Sequence, residues 1–248
     1  REKEVYMDMD TFNIVVVGAG GTGSYFLKEF SRYLCGNEKA LCRIESLAII
    51  DGDRVEEKNI SRQAFMAQDI GLPKAVVMAS ALNEAFGLNW SGYDRYLLDV
   101  SMMERLMNGY SVPVIIGCVD NHACRLVCEK FFQEKECCIY FDAANEFSSG
   151  EVVYSVKQYD KASPLRSEIF PEIKKGDLRN VEEMSCTELN AVAPQHICAN
   201  MNAGFHLLSG MTTLLETGKV NAGMAVFDVK MMDAQFYPAD QLAGRRAA

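Results

Sequence analysis

The sequence lacks several features that would place a chain of this size in a common class at once. None of its nine cysteines forms a Cys-x-x-Cys pair, the usual sign of a structural zinc, so we expect no such site. No GxxxxGK[ST] phosphate loop is present, which disfavours a P-loop NTPase. No apolar run reaches the roughly 20 residues that a membrane-spanning helix needs, and no secretory leader precedes the first predicted strand.

Basic residues are also scarce, because 25 Lys and Arg stand against 34 Asp and Glu, for a net charge of -9. This balance argues against sequence-independent binding to nucleic acid and against an anionic membrane surface as partner. The cysteine count is odd, and several cysteines lie in apolar stretches, where a free thiol behaves as a small hydrophobe. These features predict a reducing, cytoplasmic location.

What the first half does contain is an alternation of strand and helix patterns. Continuous apolar runs are typical of parallel strands buried on both faces. Strands are expected at 11–18, 46–51, 112–119 and 137–145, and a weaker strand pattern lies at 93–98. Helices are expected at 22–34, 74–86, 101–107 and 121–133. A strand at 151–157 follows a Ser-Ser-Gly turn and should pair antiparallel. The pattern predicts an α/β fold, a doubly wound Rossmann-like sheet that is mainly parallel, with antiparallel strands toward the C-terminal end.

A glycine-rich stretch, GAGGTG at 18–23, lies between the first predicted strand and the first predicted helix. Gly18 suits a tight turn, Gly20 lets a phosphate or ribose approach the backbone, and Gly23 allows close packing of helix on sheet. The helix N-terminus that follows offers free N–H groups to anions. We assign these glycines, with Gly21 among them, to a nucleotide site, although the turn alone does not distinguish NAD from ATP.

The second predicted strand ends in DGDRVEEKNISRQ, at 51–63. Asp51 occupies the position where a carboxylate meets the ribose hydroxyls of a bound adenosine. A hydride-transfer site needs an apolar slot for nicotinamide, whereas polar side chains follow here. They are Asp53, Asn59, Arg62 and Gln63 in the loop and Lys74 on the next helix. An Arg and a Lys near one nucleotide indicate a polyphosphate whose charge shifts in a reaction.

A third polar stretch, VDNHACR at 119–125, follows another predicted strand. Asp120 lies at the carboxyl end of that strand, where α/β sheets place their ligands, and could hold Mg²⁺ against phosphate oxygens. Asn121 is assigned to the nucleotide site as well, although its favoured role is to cap the following helix.

These three stretches, together with GLPK at 71–74, resemble in kind and order the motifs of the ThiF/MoeB/HesA superfamily, over roughly residues 1–145. Its members are the ubiquitin-activating-type adenylyltransferases. The resemblance implies the doubly wound fold already predicted, and adenylation of a C-terminal carboxylate by Mg·ATP with release of pyrophosphate. The substrate it implies is a small ubiquitin-like or sulfur-carrier protein, and the assembly it implies is a homodimer.

The resemblance also implies a role for each matched position. Asp51 would hold the ribose, and Asp120 would hold Mg²⁺ and support attack at the α-phosphorus. The phosphates would be bound and stabilised by Asn59, Arg62 and Lys74. The loop around them would be shaped by Asp53 and Gln63.

Beyond residue 157 the pattern changes. Residues 158–186 combine prolines, glycine and mixed charges without clear periodicity, which predicts an irregular crossover segment of a kind that is usually functional or mobile. A long helix is predicted at 189–216, and short strands at 224–229 and 234–237. We expect one domain over 1–248, made of a nucleotide-binding core in 1–157, the crossover segment, and a C-terminal helix with strands in 187–248.

The C-terminal third resembles, more loosely, the ThiF-like proteins of PRTRC systems. Cys186 follows the crossover segment, where related activating enzymes place an acyl-accepting thiol, and a position before a helix favours a nucleophilic thiolate. A half-buried, inert cysteine is an equal alternative. His196 and His206 are interpreted as core or interface residues. The apolar face of the helix, interpreted as core or as a dimer seam, consists of Met201, Phe205, Leu208, Met211 and Leu215.

The leading interpretation is therefore a soluble adenylyltransferase with ATP and Mg²⁺ as cofactors. Two alternatives stay open. An NAD-dependent oxidoreductase is favoured only by the glycine turn and Asp51. A non-catalytic nucleotide-binding scaffold would not need Arg62, Lys74 and Asp120.

Overall fold

The structure, a computed structural model, describes residues 5–6, 11–107, 109–175 and 196–242. The strands are β1 Val5–Tyr6, β2 Phe12–Val17, β3 Ile44–Ile50, β4 Trp90–Tyr93, β5 Val112–Gly117, β6 Cys137–Asn145, β7 Ser149–Gln158, β8 Lys161–Ala162, β9 Lys219–Val220, β10 Gly223–Asp228 and β11 Asp233–Pro238. The α helices are α1 Gly21–Cys35, α2 Glu38–Leu41, α3 Lys74–Phe86, α4 Val100–Leu106, α5 His122–Glu134, α6 Arg166–Ile169, α7 Ile197–Thr217 and α8 Ala239–Leu242. Short 3-10 helices lie at Glu57–Asn59, Ala67–Asp69 and Pro171–Lys175.

One large sheet organises the molecule, with strands in the order β11-β10-β7-β6-β5-β2-β3-β4 and β8 beside β7. From β4 to β6 every neighbouring pair is parallel, and β7, β10 and β11 continue the sheet antiparallel. A separate antiparallel pair joins β1 to β9. The predicted fold class is confirmed: a doubly wound sheet, parallel in the first half and antiparallel toward the C-terminal end.

Helices cover the two faces of this sheet and divide the core into two layers. On one face α1, α3 and α7 bury apolar side chains, and α4 and α5 do the same on the other. Phe26 and Phe30 of α1 are fully buried and stack with ring centroids 5.2 Å apart. Burial of each such side chain stabilises the fold by about 1.5–3 kcal/mol.

The centre of the parallel part is the pair β2 and β5, whose last residues Val17 and Gly117 lie side by side. The helices that follow these strands pack on opposite faces, α1 on one and α5 on the other. Such a divergence opens a crevice at the carboxyl ends of the strands, where doubly wound folds bind their ligands. The glycine turn follows β2 and Asp120 follows β5, so both polar stretches lie at this edge.

Several predicted elements differ from the observed ones. The weak strand predicted at 93–98 lies earlier, at Trp90–Tyr93, where it pairs with β3. The segment predicted as irregular contains β8, α6 and a 3-10 helix over 161–175, because tertiary contacts order what local periodicity does not. Residues 176–186 lie outside the described residues.

The long helix predicted at 189–216 is described from Ile197 to Thr217, and the predicted part over 189–195 lies outside the described residues. His196 has an extended backbone and caps α7, its Nδ1 accepting from the Cys198 N–H at 3.1 Å. The predicted apolar face is also divided: Met211 is buried, whereas Met201 and Phe205 are 50% and 63% exposed. The face that packs on α1 is offset from the predicted one and rich in small residues. Among the residues described, no helix has the length and apolar character that crossing a bilayer requires.

Candidate active site

The glycine turn joins β2 to α1 as predicted. Gly18 has φ +92°, in the left-handed region that favours glycine. A Cβ at Gly23 would lie 2.0 Å from the carbonyl oxygen of Gly18, so only glycine lets α1 start this close to the turn. A Cβ at Gly20 would have the Gln63 amide nitrogen, 3.9 Å away, as its nearest contact. The start of α1 therefore leaves room for an anion in front of its free N–H groups.

Asp51 follows β3 directly and turns its carboxylate toward the glycine turn. Its Oδ2 accepts a hydrogen bond from the Ala19 N–H at 2.6 Å, and its Oδ1 accepts from the Asp53 N–H at 2.8 Å. Burial raises the pKa of Asp51 to about 6, while the charge of Lys74 opposes the shift and that of Asp53 adds to it. The carboxylate is thus fixed beside the turn, where ribose hydroxyls could reach it.

Lys74 opens α3, and its side chain is only 7% exposed. Its Nζ lies 2.9 Å from Asp53 Oδ2, and Asp53 Oδ1 accepts from the Tyr96 hydroxyl at 2.7 Å. Burial acts to raise the pKa of Asp53, but the charge and hydrogen bond of Lys74 and the hydrogen bond of Tyr96 outweigh it and lower that pKa. The loop after β3 therefore holds an ammonium beside Asp51 in a half-enclosed setting. Sequence reasoning missed Tyr96, which no motif marks.

The loop that carries Arg62 is organised by Asn59, which is 3% exposed. The Asn59 Oδ1 accepts from the Glu56 N–H at 2.8 Å, and its backbone carbonyl accepts from the N–H groups of Arg62 and Gln63 at 3.0 and 2.9 Å. Arg62 is half-buried and makes no ion pair with any residue that the structure describes. The oxygen of Asn59 shapes the loop, a role that the sequence suggested for Asp53 and Gln63.

Asp120 is exposed in the turn between β5 and α5. This turn packs against the glycine turn, since a Cβ at Gly18 would lie 2.8 Å from the Cys118 carbonyl oxygen and 3.0 Å from Val119 Cγ1. Asn121 caps α5, its Oδ1 accepting from the Cys124 N–H at 2.9 Å, which confirms the favoured role. Asp120 therefore stands in a turn that contacts the glycine turn, and its exposed side chain makes no ion pair with any described residue.

Behind this turn lies a cluster of buried charges that sequence reasoning did not assign. Asp142, near the end of β6, is paired with the guanidinium groups of Arg125 from α5 and Arg166 from α6, the latter at 2.6 Å. Arg166 is also paired with Glu151 at 2.5 Å. The second guanidinium nitrogen of Arg125 donates to the Val119 carbonyl, next to Asp120. Arg125 stands in the VDNHACR stretch, but nothing in the sequence shows that its partner is 17 residues further on.

These charges also act on a histidine at the start of α5. The pKa of His122 is lowered by its burial and by the charges of Arg125 and Arg166. His122 is therefore neutral at physiological pH, and its Nδ1 is buried with no hydrogen-bond partner among the described residues.

Comparison with protein families decides the family question. A family model described as the ThiF family matches residues 2–241. The chain belongs to the ThiF family. It resembles ubiquitin-like modifier-activating enzyme 5 of Drosophila erecta, at 30% identity over 124 residues, covering 46% of this chain and 28% of that protein. The NEDD8-activating enzyme E1 catalytic subunit of Arabidopsis thaliana is 40% identical over 76 residues, covering 30% and 15%. This ThiF-family chain spans less than a third of the length of either relative.

Solved structures share the fold of this chain. A structure of PaaA superposes with a TM-score of 0.65 at 14% identity, covering 92% of this chain and 64% of PaaA. E. coli MccB in complex with ATP gives a TM-score of 0.65 at 14% identity, covering 93% and 65%. At such low identity these likenesses establish the fold, a mixed sheet common to this ThiF-family chain and both neighbours.

Two predictions made from the sequence stay predictions, the role of Cys186 and the resemblance to the PRTRC-system proteins. Cys186 lies outside the described residues. The eight described cysteines are all free thiols. Burial raises the pKa of Cys118 and of Cys138 far above that of an ordinary thiol, so neither is a ready nucleophile. The described residues contain no group of three or more His, Cys, Asp or Glu side chains placed to hold a metal ion.

Proposed function

We propose that this ThiF-family chain is an ATP-dependent adenylyltransferase that activates a C-terminal carboxylate as an acyl-adenylate. One observation carries the proposal. The buried ammonium of Lys74 pairs with Asp53 Oδ2 at 2.9 Å, and its charge acts on the neighbouring Asp51, at the edge where the glycine turn leaves the N–H groups of α1 open. A dinucleotide site for hydride transfer needs the carboxylate and the turn, but it has no use for a buried lysine beside them.

The roles proposed for the residues follow from their positions. Asp51 accepts the ribose hydroxyls, and the N–H groups at the start of α1 face the phosphates. The Lys74 ammonium leaves Asp53 for a phosphate oxygen when the nucleotide binds, and the Arg62 guanidinium turns from its loop to the same phosphates. Both cations then oppose the charge that develops on the leaving pyrophosphate.

In the proposed reaction a carboxylate oxygen of the substrate attacks the α-phosphorus of ATP. The new bond joins the carboxylate oxygen to the α-phosphorus and creates a mixed anhydride, the acyl-adenylate. The bond between the α-phosphorus and the pyrophosphate oxygen breaks, and its electron pair leaves with pyrophosphate. No proton is transferred, because the nucleophile is already ionised. The work left to the protein is positioning and neutralisation of charge, as in other phosphate-centred displacements.

Asp120 fits the role of a magnesium ligand. Mg²⁺ is commonly bound through one or two carboxylates and the phosphates of the substrate, with water completing the shell. The exposed carboxylate of Asp120, in a turn that contacts the glycine turn, provides such a ligand, and the remaining ligands would come from ATP and solvent. When bound, the ion would neutralise phosphate charge. Arg125 supports this position by holding the Val119 carbonyl.

For the substrate we propose a small ubiquitin-like or sulfur-carrier protein, because the relatives are named as activating enzymes for such modifiers. Cys186 is proposed as a thiol that accepts the acyl group from the adenylate. The net charge of -9 supports a protein partner over a nucleic acid or an anionic membrane. A homodimer in the cytoplasm is proposed as the working form, to be checked by sedimentation.

The first test is thermal stabilisation by Mg·ATP and by NAD in separate experiments. Ligand at 100 times its Kd stabilises the folded state by about 2.7 kcal/mol, and each kcal/mol shifts the unfolding midpoint of a chain this size by about 2–4 °C. We expect a shift with Mg·ATP and none with NAD. Arg62→Ala should weaken it, and the exposed Arg32→Ala of α1 should not. A shift of the unfolding midpoint with NAD and not with Mg·ATP would contradict the proposal and support an oxidoreductase.

The second test separates an enzyme from a scaffold. Exchange of labelled pyrophosphate into ATP requires reversible adenylate formation, so it should depend on a carboxylate-bearing partner such as a purified ubiquitin-like protein. Removal of a preorganised cation commonly costs about 100-fold or more in rate, and we expect this of Arg62→Ala and Lys74→Ala. ATP binding without exchange, across a panel of such partners, would instead support a scaffold.

A further inference from the structure

A chain of polar side chains connects α7 to the glycine-turn edge, and its central member is Asn200. Asn200 lies in the first turn of α7 and is fully buried. Its Oδ1 accepts from Asn145 Nδ2 at 2.8 Å, and Asn145 Oδ1 accepts from the Thr22 hydroxyl at 3.0 Å. Its Nδ2 donates to the backbone carbonyl of Arg62 at 3.3 Å. The Asn200 amide therefore joins the end of β6 to the loop that carries Arg62, and Asn145 extends the chain to the start of α1.

Two glycines create the space in which this amide lies. A Cβ at Gly21 would be 2.4–2.7 Å from three atoms of the Asn200 side chain. A Cβ at Gly204, one turn further along α7, would be 3.2 Å from the backbone nitrogen of Phe26 in α1. Because Gly21 and Gly204 have no Cβ, α1 and α7 approach closely, and the Asn200 side chain packs directly against the start of α1. The second of the paired glycines in GAGGTG thus faces Asn200.

Stability alone does not require a polar residue at this position. The other side chains that α7 buries in this region are small or apolar, and they are Ala199, Ala203, Leu207 and Met211. An apolar residue of similar volume would avoid the desolvation of an amide, which hydrogen bonds only offset. What the amide adds is a link from the Arg62 backbone, through Asn145, to Thr22 at the start of α1.

We propose that Asn200 is a positioning residue for the nucleotide site. It holds the Arg62 loop against the start of α1, so that the Arg62 guanidinium meets phosphates bound at the glycine turn. The expected effect of Asn200 on ATP binding rests on the proposed function, whereas the hydrogen bond between Asn200 and the Arg62 carbonyl does not. Asn200 acts through Arg62 and takes no part in the chemistry.

The contact is tested first without any nucleotide, by hydrogen exchange of the amides in residues 59–63. Loss of one hydrogen bond, about 1 kcal/mol, corresponds to roughly fivefold faster exchange, and we expect this in Asn200→Ala. The matched control is Asn202→Ala, on the same helix, whose Oδ1 has no hydrogen-bond partner among the described residues. Unchanged exchange in Asn200→Ala would overturn the inference, whatever the protein binds. If Asn200→Ala fails to fold, Asn200→Ser, smaller and still polar, takes its place.

The consequence is tested by comparing Mg·ATP with adenosine. Asn200→Ala should displace the Arg62 guanidinium from the phosphates and so weaken ATP binding about tenfold. Adenosine has no phosphate for Arg62 to contact, so its binding should be unchanged. In an Arg62→Ala background, Asn200→Ala should add no further loss, since residues that act through one another are not additive. Equal weakening of both ligands, or an additive loss, would show a merely structural role. If the wild type binds no ATP, the proposed function fails while the exchange experiment still decides the contact.

Discussion

Two groups of polar residues meet behind the carboxyl ends of the strands, and they differ in what they leave unsatisfied. At the glycine-turn edge one ammonium, that of Lys74, pairs with Asp53, while Asp51 accepts only backbone N–H groups, and the open N–H groups of α1 lie beside them. In the cluster around Asp142, two guanidinium groups and two carboxylates neutralise one another in full, with Asp142 1% and Arg166 3% exposed. The first group is arranged to receive a ligand and the second to hold the fold.

This difference predicts different effects of mutation in the two groups. Asp142 is buried and pairs only with buried guanidinium groups, so its removal leaves those charges buried and unpaired. At the glycine-turn edge the Lys74 ammonium is buried, but its partner Asp53 has a side chain that is 48% exposed, so removal of the ammonium should cost less stability than removal of Asp142. The Val119 carbonyl links the two groups, because Arg125 of the buried cluster holds it next to Asp120.

The largest expected effect is on the buried cluster. Asp142→Ala leaves the guanidinium groups of Arg125 and Arg166 without their shared partner, and breaking a buried pair in this way costs about 3–5 kcal/mol. The free energy of unfolding, from urea denaturation, is the measurement. Asp120→Ala, which removes an exposed carboxylate nearby, is the matched control and should leave that free energy nearly unchanged. A loss below about 1 kcal/mol for Asp142→Ala, the range of a surface pair, would remove the distinction between the groups.

A smaller effect on stability, joined to a large one on activity, is expected at Lys74. Lys74→Met keeps the buried aliphatic volume and leaves Asp53 partly solvated, so the fold should persist while pyrophosphate exchange falls about 100-fold. Lys74 also lowers the pKa of Asp53 below its ordinary 3.8. That lowered pKa gives stability present above about pH 3.8 and lost as the pH falls through the folded value. The decrease in the free energy of unfolding at acid pH should therefore be smaller in Lys74→Met than in the wild type. Equal acid sensitivity of both proteins would contradict the assignment of this pair.

The smallest expected effect is a pH dependence of nucleoside binding. The raised pKa of Asp51, about 6, means that its carboxylate is ionised above that pH and increasingly protonated below it. Ionised Asp51 accepts ribose hydroxyls, so adenosine should bind more weakly as the pH falls from 7.5 to 5. Adenosine is the right probe because it has no titrating phosphate. Asp51→Asn should abolish the inflection near pH 6, and an inflection that persists in that variant would assign it to another group.

Much of the fold and part of the site could be predicted from the sequence. Apolar runs and helical spacing located β2, β3, β5 and β6, because those elements are long and their patterns are local. The glycine turn, the loop of residues 51–63 and the Asn121 cap were predictable for the same reason. The elements over 161–175 and the start of α7 were not, because Arg166 pairs with Asp142 and the His196 N–H donates to the distant Phe147 carbonyl at 3.0 Å.

By itself, the sequence determined the family, the alternation of long strands and helices in the first half of the chain and the residue types at the glycine-turn edge, since all of these follow from contiguous patterns. Only the tertiary structure decided that Asp142 neutralises two arginines and that Gly21 makes room for Asn200. These facts depend on contacts between residues that are far apart in the chain. A contact of that kind is set by how helices and sheet pack, and no local pattern of residues encodes it.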